Sequence, residues 1–418
     1  MSKLPINVPK EKLQQVRMDM FRKVQREKRA KKRIVSVSIA FLFCLSFLFS
    51  IRVSPTIASH VAKIPGFQAI VSAVVRDKGI KDIVDNDYYE EINATQSKNG
   101  LSLTLQGVIA DNSGLVLYYD ADASFDISEL HLEEVHLFQG NEEIKGGSFT
   151  SNSSHQTRIS SSVDYSFSEP FAYTSKDFKA VFRFYDKDKG NIEMTIPFSL
   201  QNEIAKEKII TANRIVDVGG QKFTITQIRR SPLRTAIDIE LDEANTMQIL
   251  ALDDIAVETE NGERREAVVK NAMYISRNIR DGKFTLNLQS NYFHDSDSLK
   301  ILIGAVHAVP KGEDFIEVDF GTKEVLTKPE YLDWDISLQQ GVSVAAKKWD
   351  DRVRHSFLNS AVKADGTPLE FTGGSYSDDE QYLYATENFE NYDGKAKLYI
   401  SYYFNPIGKN IELNIPLK

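Results

Sequence analysis

Residues 34–51 read "IVSVSIAFLFCLSFLFSI", eighteen consecutive positions without a charge, whose polar members are four serines that a helix can satisfy on its own carbonyls. As a helix the run is about 27 Å long at 1.5 Å per residue, close to the roughly 30 Å hydrocarbon slab of a bilayer. Arg33 and Arg52 bracket it and can snorkel to the two headgroup layers. A removable export signal has a core of about 7–15 residues behind a short basic start. Here 33 residues precede the run. The small-x-small stretch Thr56-Ile57-Ala58 keeps cleavage open as the alternative. The spacing predicts a transmembrane helix over 34–51.

Charge sets the direction. Residues 1–33 hold 12 Lys and Arg against 3 Asp and Glu, a net +9, whereas the whole chain is −8, so the remainder carries −17. The positive-inside rule places the basic end in the cytoplasm and residues 52–418 outside a cell membrane crossed once. The chain's one cysteine, Cys44, lies in the uncharged run. The outer part is therefore built without intramolecular disulfides, which suits a Gram-positive surface better than a small secreted eukaryotic domain.

The outer part repeats one plan three times. "GNIEMTIPFS" (190–199), "EDFIEVDF" (313–320) and "KNIELNIPL" (409–417) alternate apolar and polar residues, the signature of a strand with one buried face. Each follows another strand-like segment, "FKAVFRFY" (178–185), "LKILIGAV" (299–306) or "AKLYISYYF" (396–404), across a turn-forming link. Upstream, "VHLFQGNEEIKG", "IAVETENGERRE" and "SAVKADGTPLEF" each place a turn at Gly140-Asn141, Asn261-Gly262 or Asp365-Gly366, which predicts three hairpins. From turn glycine to the isoleucine of the closing strand the distances are 52, 54 and 45 residues. The expected fold class is mainly β: an N-terminal cytosolic helix and one transmembrane helix, then three tandem immunoglobulin-like β-sandwich domains. Their expected bounds are 96–205, 206–325 and 326–418, behind a juxtamembrane helical segment at 52–95. In that segment Phe67, Ile70, Val71 and Val74 form an apolar stripe that could pack on the first sandwich, lie on the outer leaflet, or meet a partner helix.

"IPGFQAIVSAVVRDKGIKDIV" followed by "KNGLSLTLQGVIADNSGLVLYYDAD" (98–122) resembles a family of single-span Firmicute membrane proteins. Their ectodomain is a domain of unknown function, and members are described as negative effectors of ECF-type sigma factors. The resemblance implies an anti-sigma-like role in signal transduction. The cytosolic segment lacks the His-x₃-Cys-x₂-Cys zinc motif of better-understood anti-sigma factors.

Chemistry is sparse. The seven histidines form no HExxH, and "HLEEVH" (131–136) sends its two histidines to opposite faces of a strand. With no cysteine outside the uncharged run, thiol catalysis there is excluded. "GGSFTS" and "GGSYSDD" lack the G-x-S-x-G elbow, and no Walker A loop or dinucleotide fingerprint occurs. "YDKDKGNIE", with Asp186, Asp188 and Glu193, and "YDADASFD", with Asp120, Asp122 and Asp126, depart from calcium-loop spacing and read as solvated turns, calcium being the alternative. No catalytic residue, metal or cofactor is expected. A −17 exterior disfavours nucleic acid. The tail is more informative. Leu13, Val16, Met20 and Val24 recur at spacings of three or four, with Phe21 at the edge, making one apolar stripe on a basic helix. The stripe could rest on membrane lipid of the inner leaflet, or dock in a groove on a cytosolic protein. The expected function is a membrane-anchored regulator whose tail holds an ECF-type sigma factor and whose ectodomain senses, or is cut by an envelope protease. A surface-anchored ligand-binding or structural ectodomain is the alternative.

Overall fold

The computed structural model describes residues 70–418 apart from 71–72, 75–76, 156–157, 168–170, 172, 268–278, 340, 350–355, 359 and 418. The chain divides into two compact units, Met1–Pro65 and Gly66–Lys418, and the described residues all belong to the second. No helix among them is long and apolar enough to cross a membrane, and the run at 34–51 lies outside them. The fold is mainly β, as the alternating patterns predict.

Helix α1 (Lys78–Asp85) starts at Asp77, whose carboxylate accepts from the Gly79 and Ile80 amides at 2.7 and 3.3 Å, a Ser/Asp-type N-cap. Its buried face is Ile80, Ile83 and Val84. The expected helical segment to residue 95 is corrected here. "EEINATQSK" alternates and forms β1 (Glu90–Lys98) against the next strand, with a bulge where Asn93 takes a left-handed φ of 54°.

The first group of strands is β1, β2 (Leu101–Asp111), β3 (Gly114–Ala123), β4 (His131–Gln139), β5 (Glu142–Glu143), β6 (Gly146–His155), β7 (Arg158–Phe167), β8 (Asp177–Asp186) and β9 (Gly190–Ser199). They form two sheets, in orders β1-β2-β3-β7-β6 and β5-β4-β8-β9. Leu103, Leu105, Leu117 and Val163 of one sheet and Leu137, Phe182, Phe184 and Met194 of the other share one hydrophobic cluster, so the sheets face each other as a sandwich.

A second cluster draws on β10 (Lys208–Val218), β11 (Gln221–Arg230), β12 (Arg234–Leu241), β13 (Met247–Asp253), β14 (Ala256–Glu258), β16 (Lys283–Gln289) and β17 (Ser298–Pro310), with β15 (Arg264–Glu266) paired to β14. A third uses β18 (Phe315–Asp319), β19 (Glu324–Thr327), β20 (Asp335–Leu338), β21 (Val342–Lys347), β22 (Ser360–Lys363), β23 (Pro368–Leu369), β25 (Tyr382–Phe389) and β26 (Lys395–Tyr399), with β24 (Phe371–Asp378) paired to β25, and β27 (Pro406–Pro416) follows. The three predicted hairpins are present as β4–β5, β14–β15 and β22–β23, with Gly140, Gly262 and Gly366 all at positive φ. The repetition reaches irregularities the alternating pattern does not encode. Asn213 bulges β10 as Asn93 bulges β1, and β11 shifts register after Ile225 as β2 does after Leu105.

The closing strands depart from a simple tandem. In the first sandwich β9 returns beside β8, from Asp177↔Ser199 to Asp186↔Gly190. The strand that follows β17 does not pair with it. β18 joins the third sandwich beside β26, while β27 comes back from the third to pair with β17 over Ser298↔Pro416 to His307↔Pro406. The second and third sandwiches thus exchange closing strands. Leu413 and Ile415 of β27 are buried in the second core, and Ile316 and Val318 of β18 in the third. β17 is long enough to serve both, and its Val309 lies in the third core. The first crossing is pinned by Arg280, which pairs with Asp314 and donates to the Ile400 carbonyl at 2.9 Å. On the return, the Asn405 amide donates to His307 Nδ1 at 3.1 Å and the Tyr402 hydroxyl to Asp253 at 2.7 Å.

Candidate functional site

The tail residues Leu13, Val16, Met20, Phe21 and Val24 lie outside the described residues. The acidic stretches weighed for calcium are occupied by the protein itself. Asp120 is buried and accepts from Gln106, Arg158 and Ser160 at 2.9, 2.6 and 2.5 Å, and Arg158 also reaches Asp122 at 3.6 Å. Asp126 accepts the Ser128 amide, and Asp186 accepts the amides of Asp188 and Lys189, as turn-closing aspartates do. His136 is held between Glu134 and Glu143, which raise its pKa. Among the described residues no group of three or more His, Cys, Asp or Glu is placed to hold a metal.

Among the described residues, a buried ionic cluster lies where α1 meets the second sandwich. β15 alternates, so Arg264 points outward while Arg265 turns in and is 1% exposed. Its Nη1 donates to Asp82 Oδ2 of α1 and to the Ser290 carbonyl, both at 2.7 Å. Nη2 meets Glu263 at 3.2 Å and His294 Nε2 at 2.9 Å, and that same nitrogen lies 2.9 Å from Asp82. A buried guanidinium is tolerated only when paired and hydrogen-bonded in this way. Behind it, Arg230 fixes the 291–294 loop, donating to Asn291 Oδ1, the Asn291 carbonyl and the His294 carbonyl at 2.9, 2.7 and 2.5 Å.

Other contacts complete the seat of α1. Lys78 donates to the Arg264 carbonyl at 2.8 Å. A Cβ on Gly79 would come within 2.7 Å of the Ser290 backbone nitrogen, so the helix can lie this close because that position is glycine. Burial pushes the Asp77 carboxyl up to about 6, against the pull of its two backbone hydrogen bonds and Arg265. The first sandwich is tied in alongside. The Leu233 amide donates to Asp111 at 2.8 Å, Arg234 reaches Ser166 and Asp164 at 2.9 and 3.3 Å, and the Tyr88 hydroxyl bridges Ala110 and Ala205. Chemically the cluster is a clasp: it joins one part of the chain to another through a desolvated ion pair. "GERREA" reads as a solvated charge run, and the signal for its buried member lies far away, in the amphipathic "KGIKDIVD" that carries Asp82.

Residues 27–122 match a family described as a domain of unknown function (DUF4179), a span that takes in the uncharged run and extends through most of β3. Residues 207–336 match a family of unknown function (DUF5643), running from the start of β10 past β18 and β19. No curated protein matches the chain. Among solved structures, a conserved domain protein from Bacillus anthracis is 16% identical, the alignment covering 55% of this chain and 82% of that one, with a TM-score of 0.41. An uncharacterized protein from Listeria monocytogenes is 8% identical, covering 69% of this chain and 29% of that one, with a TM-score of 0.16. The chain therefore carries one region similar to each of two families of unknown function.

Proposed function

We propose that the chain is a membrane-anchored regulator resembling an anti-sigma factor, crossing a cell membrane once through residues 34–51 with its N-terminus in the cytoplasm. Its tail binds an ECF-type sigma factor through Leu13, Val16, Met20, Phe21 and Val24. The three sandwiches, immunoglobulin-like in architecture, form the sensing exterior. The observation that carries this is the apolar stripe on a tail that needs only its positive charges to set topology. The match over 27–122 supports the anchored arrangement alone, because it spans the uncharged run and the first strands in one family region while beginning after Val24.

A 1–33 peptide is expected to bind the cognate sigma factor, and Leu13→Asp or Met20→Asp to weaken binding at least about tenfold, a fully buried apolar side chain in a groove contributing about 1.5–3 kcal/mol. No binding, together with unchanged sigma-dependent transcription after deletion of 1–33, rejects the reading. The second reading, a surface ligand-binding or structural ectodomain, draws on Tyr382 and Tyr384, both exposed and 6.2 Å apart on β25. It predicts no phenotype when residues 8–27 are scrambled at constant charge.

A further inference from the structure

We propose that α1 is held on the second sandwich by a releasable clasp, Arg265 on Asp82 and His294, and that withdrawal of α1 is the conformational step linking the ectodomain to the chain before Lys78. The inference takes its purpose from the membrane-anchored reading, in which α1 lies between the uncharged run and the first sandwich.

Three observations carry it. First, α1 precedes the first sandwich in the chain, yet Asp82 pairs with Arg265 and His294, and Lys78 donates to the Arg264 carbonyl, all of the second. The whole first sandwich lies between them in sequence, so α1 can leave its seat without pulling any strand out of a sheet. Second, α1 has eight residues, too few to persist as a helix in water without a packing partner, so docking and helicity rise and fall together. Third, both end states satisfy the charges. Docked, Arg265 is paired with Asp82; undocked, the surface that Asp82 covers opens and the guanidinium regains water. A docked and an undocked arrangement of this kind are what a switch requires.

Hydrogen exchange on the full-length chain in phospholipid vesicles tests this without any sigma factor. Asp82→Asn removes the charge that faces Arg265, and the expected result is exchange of the 78–85 amides faster by at least about tenfold, because one partner of a buried pair is lost. The amides of β2 and β12 should keep their wild-type rates. Gly79→Val, which blocks the approach to Ser290, should reproduce the pattern by a steric route. Unchanged exchange in 78–85 in both variants overturns the proposal, and so does acceleration shared equally by β2 and β12, which would make the clasp one more part of the global fold. A tail that binds no sigma factor would reject the functional reading and leave these rates as predicted.

Discussion

The first sandwich and the pair that follows it are made from the same parts, closed differently. β9 turns back beside β8 across a short Asp-Lys-Gly turn, so the first core is finished by its own sequence. The second core is finished by β27, about a hundred residues after β17 begins, and the third by β18, which continues almost directly from β17. The difference shows that a repeat in sequence does not guarantee an independent unit in space. Loop closure over a longer separation adds only a few tenths to about 1 kcal/mol per doubling, so the exchange costs little. In return the second and third sandwiches are coupled: neither core can be completed while the other's strands are disordered.

That contrast can be broken in order of severity. Deleting residues 406–418 removes the partner of β17 and two buried side chains, Leu413 and Ile415. The expected result is loss of protection in β13, β14 and β17 of the second sandwich, measured by hydrogen exchange, while β2 and β8 of the first stay protected. Smaller effects separate the regions more finely. Leu413→Ala and Met194→Ala each open a cavity costing about 2–5 kcal/mol. Met194→Ala should destabilise the first sandwich alone, whereas Leu413→Ala should lower the unfolding midpoint of the second and third together.

The smallest effect concerns the clasp. The Asp77 carboxyl has its pKa raised from 3.8 to about 6, chiefly by burial, with Arg265 opposing and Asp164 reinforcing the shift. A raised carboxyl contributes stability that is fully present below its unfolded value and is lost as pH rises through about 6. Asp77→Asn keeps the cap but carries no charge. It should therefore protect the 78–85 amides better than wild type at pH 7.5, by about 1–3 kcal/mol, with the advantage gone below pH 4.

Much of this architecture is legible in the residues. The alternation in "GNIEMTIPFS" and the turns at Gly140, Gly262 and Gly366 announce strands and hairpins, because period-2 burial and positive φ are local properties. Alternation says that a strand has a buried face and nothing of which core receives it, so "EDFIEVDF" and "KNIELNIPL" read as closing their own units. The start of β1 at Glu90 is missed for a similar reason: the apolar spacing through Val84 gives way within a few residues to a polar strand whose pairing with β2 is what defines it. Arg265 is hidden more deeply. Its neighbours Arg264 and Glu266 are exposed, and only the seating of α1 makes the middle residue a buried one.

The strand exchange itself is most directly tested by disulfide trapping in a Cys44→Ser background. Lys300 and Asn414 face each other across β17 and β27, whereas Lys397 of β26 lies opposite Glu317 and Val362. Oxidation is expected to close an intramolecular bond in Lys300→Cys with Asn414→Cys, and to leave Lys397→Cys with Asn414→Cys reduced. Bond formation in the second pair and its absence in the first would show each sandwich closing on its own strand, contrary to the account.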